Sequence, residues 1–338
     1  MILLTGSTGL LGSHVLGHLL SSDIRVIALR RSSSSVEGLK EVLGYYSEQP
    51  EALYNKVEWR TCDLNNPWSV SEAMEGATRV VHAAAMVSFD PGDRKKLVRN
   101  NVEITANLVA AALHHKVERF VHISSTAAIG RPPAGELATE DMIWAGGKGT
   151  SGYAESKFKS EMEVWRGIEE GLPAVILNPS IILGAGFRES GSGALLTRIA
   201  RGMKFYTEGV TGYTGVEDVV KAIDRGLNGE DHLAGNRYII SSENLSYREV
   251  FGIMAKALGT KAPGIHASPF MTALAWRADW LGGLLPGRKR MLTRETADAA
   301  HSIIRFSNEK ARKELGIEFE GIESVVERIV KLQHGQTR

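Results

Sequence analysis

Tyr153 and Lys157 stand four positions apart in a segment whose apolar periodicity predicts a helix over Gly152–Glu169. That spacing puts the phenol and the ammonium one turn apart on the same face of the helix. The lysine cation would lower the pKa of the phenol, and the pair would then exchange a proton with a substrate oxygen near neutral pH. The same spacing also arises by chance on surface helices, and taken alone the two interpretations are equally good.

A glycine-rich turn, Thr5–Gly12, separates an apolar segment, Ile2–Thr5, from a periodic segment that begins at Leu10. Glycine allows the positive φ and the close backbone approach that a bound pyrophosphate requires. The N-terminus of the following helix would present N–H groups and a positive dipole to the phosphates. This context favours a dinucleotide site over an ordinary tight turn. The expected cofactor contacts in the turn are Gly6, Thr8, Gly9, Leu10, Leu11 and Gly12.

The end of the second predicted strand, Arg25–Leu29, indicates which nicotinamide cofactor is bound. A carboxylate at this position would hold the adenosine ribose, whereas an arginine would meet a 2′-phosphate. Arg30 occupies the position, and Arg31 follows it. We therefore expect both to contact the cofactor and NADP to be preferred over NAD. The alternative is a pair of solvated cations in a loop.

These side chains must be positioned by alternating strands and helices. Short, continuously apolar strands between helices predict a parallel sheet covered on both faces, which right-handed crossovers make doubly wound. Strands are predicted at Ile2–Thr5, Arg25–Leu29, Val57–Thr61, Arg79–His82, Phe120–Ile123 and Ala174–Leu177, and helices around Leu10–Leu20, Val70–Met74, Leu97–His114 and Gly152–Glu169.

The later part of the chain has a different pattern, with glycine-punctuated loops and helices at Glu217–Leu227, Tyr247–Leu258 and Ile322–Leu332. We therefore expect an α/β fold with a doubly wound parallel (Rossmann) sheet over residues 1–178. A smaller C-terminal substrate lobe is expected over residues 179–338, and some of its segments, such as the strand Tyr238–Ser241, return to the sheet.

Composition excludes several classes of function. The 40 basic and 39 acidic residues among 338 nearly cancel, so no nucleic-acid partner is expected. A single cysteine, Cys62, and an opening MILLTG without a basic and apolar leader favour a cytoplasmic protein. The scattered histidines predict no metal site. The apolar stretch Phe270–Leu285 contains Arg277 and Asp279 and is too short and too charged for a membrane span, but a weak interfacial role stays open.

Three further elements precede Tyr153 in a fixed order after the glycine turn. They are Asp63-Leu64 after the third strand, His82-Ala83-Ala84-Ala85 after the fourth and Ser124-Ser125 after the fifth. Together with the Tyr153–Lys157 pair, they resemble the extended short-chain dehydrogenase/reductase family over nearly the whole chain. Leu177–Ser180 and Ser307–Gly316 are similar to its dihydroflavonol-reductase-like and 3-beta-hydroxysteroid-dehydrogenase-like branch.

The resemblance implies a role for each matching residue. Ser125, Tyr153 and Lys157 would be catalytic: Ser125 would bind the substrate oxygen, and Lys157 would also hold the cofactor ribose. Asp63 would accept a hydrogen bond from the adenine, against which Leu64 would lie. The remaining cofactor contacts implied are Ala83, Ala84 and Ala85, Asn101, Ser124, Tyr153 itself, and Pro179, Ser180 and Ile181 at the nicotinamide end.

The implied activity is NAD(P)-dependent reduction of a small-molecule carbonyl, or oxidation of a secondary alcohol, with Tyr153 as general acid or base. A nucleotide-sugar epimerase or dehydratase is the alternative within enzymes, weakened because Thr293–Phe306 lacks the Arg-x-Gly-Asp element usual there. A non-catalytic cofactor-binding sensor or scaffold is the alternative from another class. By family analogy we expect a homodimer in which Leu97–His114 and Gly152–Glu169 pair with their symmetry mates, with Ala106, Ala110 and Ala111 allowing close approach.

Overall fold

The computed structural model describes residues 1–147, 150–189, 191–282 and 293–335. Its strands are, in chain order, β1 Ile2–Thr5, β2 Val26–Arg30, β3 Glu58–Thr61, β4 Arg79–His82, β5 Arg119–Ile123, β6 Leu137–Ala138, β7 Ala174–Pro179, β8 Ile181–Leu183, β9 Phe205–Tyr206, β10 Val210–Gly215, β11 Asn236–Ile240, β12 Glu243–Ser246, β13 Ile265–His266 and β14 Arg305–Phe306. Its helices are α1 Leu10–Ser21, α2 Glu37–Leu43, α3 Pro50–Asn55, α4 Pro67–Met74, α5 Arg94–His114, α6 Gly152–Glu169, α7 Gly193–Ala200, α8 Val216–Asn228, α9 Tyr247–Ala257, α10 Pro269–Gly282, α11 Arg294–Ala299, α12 Glu309–Glu314 and α13 Ile322–Gly335.

A seven-stranded parallel sheet forms the centre, with the strand order β11-β7-β5-β4-β1-β2-β3. The order reverses between β1 and β4, and in open α/β sheets ligands bind in the crevice at the carboxyl ends of the strands at such a reversal. Here those ends are Thr5 and His82, which are register partners. The expected doubly wound Rossmann fold is confirmed.

Helices cover both faces of this sheet because successive strand residues point to opposite sides. In β1, Ile2 and Leu4 pack in the core cluster that contains α1 and α8, whereas Leu3 packs in the cluster that contains α4, α5 and α6. Both sides of each central strand are therefore buried, which explains why the strands read as continuous apolar runs rather than alternating ones.

The C-terminal part builds a separate core around the three-stranded sheet β12-β10-β8. Tyr213 of β10, fully buried, packs there with apolar residues of α7, α9 and α13. This part is not contiguous in sequence, because α8 packs on the main sheet and β11 forms its edge beside β7. The expected return of a strand near Tyr238 is thus observed at Asn236–Ile240.

The predicted apolar stretch from Phe270 is helical as α10 up to residue 282, and its remainder lies outside the described residues. Among the described residues, no helix combines the length and the apolar character needed to cross a bilayer.

Candidate active site

The glycine turn after β1 is shaped by close contacts between backbone segments. Gly6 has φ +71°, and a Cβ there would lie 2.8 Å from the backbone of Ala83 and Ala84. A Cβ on Gly12 would lie 2.1 Å from the carbonyl oxygen of Gly6. A Cβ on Gly9, in contrast, would meet only the Gly6 oxygen, at 3.5 Å. Gly6 and Gly12 therefore allow the turn to close, and Gly9 leaves an open side toward the crevice.

The N-terminus of α1 is suited to an anionic group. Gly9 is its N-cap and provides no side-chain cap, and the first turn contains no acidic residue. Leu11 packs against the core, whereas Thr8 and Leu10 are half-exposed. The N–H groups and the positive helix dipole thus remain available to a pyrophosphate, so the turn fits a dinucleotide cofactor.

A buried chain of hydrogen bonds fixes the backbone on the opposite side of the crevice. The Thr5 hydroxyl accepts from the Ala84 N–H at 3.0 Å and lies 2.9 Å from His82 Nδ1. Thr105 donates to the carbonyl of Asn101 and therefore accepts from His82 Nε2–H, at 3.0 Å. Burial lowers the pKa of His82 to about 3, consistent with this neutral tautomer. His82 thereby positions Ala83–Ala85, a role that its place in the sequence motif alone did not reveal.

Arg30 ends β2 with its guanidinium on an aromatic surface rather than in solvent. Its Cζ lies 5.2 Å from the centre of the Trp59 ring, and Nη1 donates to the Tyr54 hydroxyl at 3.3 Å. Stacking and one hydrogen bond leave most of its five N–H groups without a partner in the described residues. Arg31 is exposed, and its backbone N–H donates to Ser34. The two arginines predicted to bind the 2′-phosphate thus differ in their surroundings. Neighbouring side chains hold Arg30 in place, whereas the Arg31 side chain is exposed.

The loop after β3 presents Asp63 and Leu64 at the sheet edge. The exposed Asp63 carboxylate accepts the Asn65 backbone N–H at 3.0 Å. The Leu64 carbonyl accepts from the Asn107 side chain of α5 at 2.9 Å. Asn107 therefore holds this loop against α5, and nothing in the sequence motif had indicated it.

The start of α6 is fixed one residue before Tyr153. The Ser151 hydroxyl caps the helix by accepting the Ala154 N–H at 3.0 Å. Arg94 of α5 forms an ion pair with Glu155 at 2.6 Å and donates to the Thr150 carbonyl at 2.9 Å. These contacts hold the first turn of α6 against α5. They thereby fix the position of Tyr153, which lies in that turn.

Ser125, Tyr153 and Lys157 are brought together at the carboxyl end of β5. Burial raises the pKa of the half-buried Tyr153 phenol, and a hydrogen bond with Ser125 acts in the opposite direction. The Ser125 oxygen accepts the Ala127 N–H, so its hydroxyl can donate its own proton to the phenol or to a substrate oxygen. Lys157 donates to the Ile123 carbonyl at 2.9 Å, and burial lowers its pKa to about 8 while nearby Glu161 raises it.

Glu161, one turn beyond Lys157, is fully buried and accepts four hydrogen bonds. Its two oxygens take the Ser124 hydroxyl at 2.6 Å, Asn178 Nδ2 at 2.8 Å, Trp165 Nε1 at 3.3 Å and Arg237 Nη1 at 2.9 Å. Asn178 Nδ2 also donates to the Ser125 carbonyl at 3.0 Å. Ser124, predicted as a cofactor contact, therefore bonds inside the protein. Glu161 was not predicted from the sequence, although its i+4 spacing from Lys157 was a signal that could have identified it.

The remaining predicted contacts hold backbone segments around the crevice. Asn101, buried, bonds both the N–H and the carbonyl of Met86, at 2.8 and 2.9 Å, and so fixes the loop after β4. Pro179 ends β7, and the buried Ser180 directs its N–H and hydroxyl toward the Ile240 carbonyl. Ile181 begins β8, paired with Tyr213. Within the described residues, no group of three or more His, Cys, Asp or Glu side chains is placed to hold a metal ion.

Aromatic side chains lie beside Tyr153 and on the next turn of α6. The Phe89 ring centre lies 5.6 Å from that of Tyr153, and Phe89 and the neighbouring Val87 are both exposed. On the next turn of α6, Phe158 stacks on Trp144 with 4.3 Å between ring centres. Phe89 therefore offers an exposed aromatic ring directly beside Tyr153.

Comparisons with known proteins agree with this geometry. The model of the NAD dependent epimerase/dehydratase family matches residues 2–241. Sterol demethylase protein B of Methylococcus capsulatus is 30% identical, over 93% of this chain and 92% of its own. A putative dihydroflavonol 4-reductase of Synechocystis sp. is 31% identical, over 77% of this chain and 73% of its own. The crystal structure of gox2253 matches with a TM-score of 0.78 at 29% identity, over 99% of each chain. The chain therefore belongs to the NAD-dependent epimerase/dehydratase family, the extended short-chain dehydrogenase/reductase family that its motifs resemble.

Proposed function

We propose that the protein is a carbonyl/alcohol oxidoreductase that transfers a hydride between NADP and a small, apolar substrate. The convergence of Ser125, Tyr153 and Lys157 at the end of β5 supports this proposal most directly. A protein that only binds a cofactor has no need of a phenol held beside a hydroxyl and a buried ammonium. The division into a cofactor lobe over residues 1–178 and a substrate lobe over 179–338, from which α8 and β11 return to the main sheet, is part of the same proposal.

The side chains divide the proton chemistry among them. The bound nicotinamide supplies or accepts the hydride. Ser125 donates a hydrogen bond to the substrate oxygen, and Tyr153 gives that oxygen a proton during reduction or takes it during oxidation. The Lys157 ammonium stabilises the phenolate that forms when the proton leaves. Gly6, Gly9, Gly12 and the first turn of α1 would hold the pyrophosphate.

The substrate class is inferred from the surface beside the phenol. Phe89 is exposed next to Tyr153, Val87 is exposed two residues before it in the chain, and burying both against an apolar substrate is favourable. The two curated relatives are named for a sterol and for a dihydroflavonol, both largely apolar ring systems. We infer an apolar ketone or secondary alcohol as the substrate.

Cofactor turnover tests the proposed reaction. The wild-type protein, incubated with NADPH and a panel of aldehydes, ketones, oxosteroids and dihydroflavonols, is expected to oxidise NADPH in proportion to the alcohol formed. An epimerase or dehydratase would convert a nucleotide sugar without net NADPH consumption. Cofactor binding with no conversion of any compound would favour a sensor or scaffold. Either of the last two results would overturn the proposal.

We expect the wild-type protein to bind NADPH about tenfold to a hundredfold more tightly than NADH, and Arg30→Asp to reverse the preference. One good hydrogen bond from a guanidinium to a phosphate contributes ~1.5–3 kcal/mol, and a carboxylate would repel that phosphate. Trp59 and Tyr54 hold Arg30 at the strand end, which lowers the entropic cost of the contact. Arg25→Asp, one residue before the other end of β2, is the matched control. Titration of each variant with both cofactors decides, and equal affinities in the wild type would remove the NADP assignment.

We also propose a homodimer through α5 and α6. Ala106 and Ala110 are accessible on α5, as a close helix pair requires, whereas Ala111 is buried against the sheet because it is rotated about 100° from Ala110. Ala110→Glu would place two symmetry-related carboxylates in the interface and is expected to raise the dimer dissociation constant at least about tenfold. Sedimentation velocity measures it, with the exposed Ala134→Glu as control. A wild-type monomer at micromolar concentration would exclude the dimer.

A further inference from the structure

The segment from Ser88 to Arg94 lies against Tyr153 without being part of a hydrophobic core. It leads into α5, of which Arg94 is the first residue. Phe89, within the segment, is 50% exposed and belongs to none of the apolar core clusters that the described residues form. Its ring centre nevertheless lies 5.6 Å from that of Tyr153, a distance typical of paired aromatic rings. Burial in a core therefore does not explain this contact.

Hydrogen bonds inside the segment fix its backbone. The Ser88 hydroxyl donates to Asp93 Oδ2 at 2.7 Å and accepts the Asp90 N–H at 3.2 Å. The Asp90 side chain accepts the Gly92 N–H at 2.9 Å and thereby begins a short turn that runs directly into α5. The residues on both sides of Phe89 are thus hydrogen-bonded, and the segment connects Phe89 to the first turn of α5 as one ordered unit.

The Arg94 guanidinium binds residues on both sides of Tyr153. Its Nη1 donates to the carbonyl of Thr150, three positions before Tyr153, at 2.9 Å. Its Nε and Nη2 both donate to Oε2 of Glu155, two positions after Tyr153, at 3.0 and 2.6 Å. The donors of a guanidinium form a rigid planar fork. The three bonds together therefore fix where Thr150 and Glu155 lie relative to each other, and with them the turn that contains Tyr153.

The aliphatic part of Arg94 packs on the residue directly before Tyr153. Gly152 is buried, and a Cβ there would lie 2.9 Å from Cγ and 3.3 Å from Cα of Arg94. Only glycine leaves room for so close an approach between the first residue of α5 and the backbone of α6. Arg94 therefore contacts the first turn of α6 through its stem as well as through its hydrogen bonds.

These contacts should affect the placement of α6 more than the stability of the protein. The side chain of Arg94 is 42% exposed and that of Glu155 20%. An ion pair so accessible to solvent contributes little to the free energy of unfolding, because water and salt screen it. A group that exchanges a proton with a substrate, in contrast, must be held within about 0.5 Å and 10–20° of the productive geometry. The Tyr153 hydroxyl lies at the far end of its ring, where a small rotation of the helical turn causes the largest displacement.

From these contacts we propose that Arg94 is a positioning residue for the reaction. It fixes the first turn of α6 and thereby the orientation of the Tyr153 phenol, while Phe89 of the same segment contacts the ring from the side. Arg94 takes no part in the proton transfer itself, and its effect on turnover passes through the phenol. The proposal rests on the proposed function, since the orientation of Tyr153 affects turnover only if its phenol exchanges the proton.

A double-mutant cycle with Tyr153→Phe tests this role. Arg94→Met keeps an aliphatic stem without the donors, and it is expected to lower kcat about tenfold to a hundredfold, because a misplacement of about 1 Å can cost that much. The KM for the ketone and the Kd for NADPH should change little. In the Tyr153→Phe background the same substitution should have no further effect, since the hydroxyl that Arg94 positions is absent. Arg94→Lys keeps the charge without the planar fork and should give a smaller loss.

Fluorine NMR measures the placement of the ring without any substrate. The protein is produced with 3-fluorotyrosine in place of its eight tyrosines, and the resonance that Tyr153→Phe removes is assigned to Tyr153. Arg94→Met should shift or broaden this resonance and leave those of the other tyrosines unchanged. Unchanged resonances elsewhere, together with unchanged NADPH binding, show that the variant is folded.

Arg166→Met is the matched control. Arg166 also lies on α6, and its side chain is 43% exposed and pairs with Glu163 and Glu170 near the other end of the helix. This variant should change neither kcat nor the Tyr153 resonance. An unchanged Tyr153 resonance in Arg94→Met would overturn the proposal, and so would an equal loss of kcat in both backgrounds, which indicates a general structural role. Normal turnover by Tyr153→Phe would overturn the proposed function instead, and the resonance alone would then decide whether Arg94 places the ring.

Discussion

Tyr153→Phe is expected to lower kcat by ~10²–10⁴-fold while the dissociation constant for NADPH changes little. The variant removes the hydroxyl group, and with it the proton that the phenol gives to the substrate oxygen, while the ring keeps its contact with Phe89. Stopped-flow turnover with an accepted ketone, together with fluorescence titration of NADPH, measures both quantities. Turnover near the wild-type rate would remove Tyr153 from the reaction.

The pH dependence of the wild-type enzyme gives a second measure of the same chemistry. Burial lowers the pKa of Lys157 to about 8, so its ammonium is present below that pH and is lost above it. Reduction requires a protonated phenol and a cation that stabilises the phenolate. We therefore expect kcat/KM for reduction to fall as the pH rises through about 8. A flat profile between pH 7 and about 9 would exclude Lys157 from this role.

Much of the cofactor half could be predicted because its signals are local. β1 and β4 begin and end where the apolar runs predicted, since a strand buried on both faces tolerates few polar residues. β7 continues two residues past its predicted end, to Pro179, because Asn178 and Pro179 pair with Ile239 and Ile240 of β11. Two-residue strands such as β9 contain too few side chains to show any period, and they were not predicted.

The polar contacts around the site could not be predicted, because their partners are far apart in the sequence. Ser124 stands where the motif expects a cofactor contact, but its hydroxyl bonds Glu161, 37 residues later. The stacking of Arg30 on Trp59 depends on the register of β2 with β3, which pairs Ala28 with Trp59. Residue types and spacing thus indicated which side chains gather at the crevice, whereas their orientation depends on tertiary contacts.

Glu161→Gln is expected to reduce both stability and catalysis, because the amide cannot satisfy the donors around it. One carboxylate oxygen accepts from Trp165 Nε1–H and Arg237 Nη1–H, and neither of these groups can accept a hydrogen bond. The side-chain oxygen of the glutamine must therefore face Trp165 and Arg237. Its NH₂ group then points toward Ser124 and Asn178. Ser124 can rotate to accept, but Asn178 can accept only by flipping its amide, which breaks its bond to the Ser125 carbonyl.

The loss of charge adds to this mismatch, since the Arg237 guanidinium is largely buried. Removing one partner of a buried ion pair typically costs about 3–5 kcal/mol, and we expect a loss of that size in the free energy of unfolding by urea. Without the Glu161 charge the pKa of Lys157 should fall further. The alkaline limb of the pH profile, where kcat/KM falls as the pH rises, should therefore move to lower pH.

The matched control is Glu163→Gln, on the same helix, where the carboxylate pairs with Arg166 at the surface. An exposed pair contributes at most about 1 kcal/mol, so this variant should keep nearly wild-type stability and an unshifted pH profile. A merely structural role for Glu161 would lower stability and leave the alkaline limb in place, and a loss no larger than that of Glu163→Gln would contradict the network altogether. The shift of the limb is therefore the decisive readout, because it reports the electrostatic interaction between Glu161 and the ammonium that acts on Tyr153.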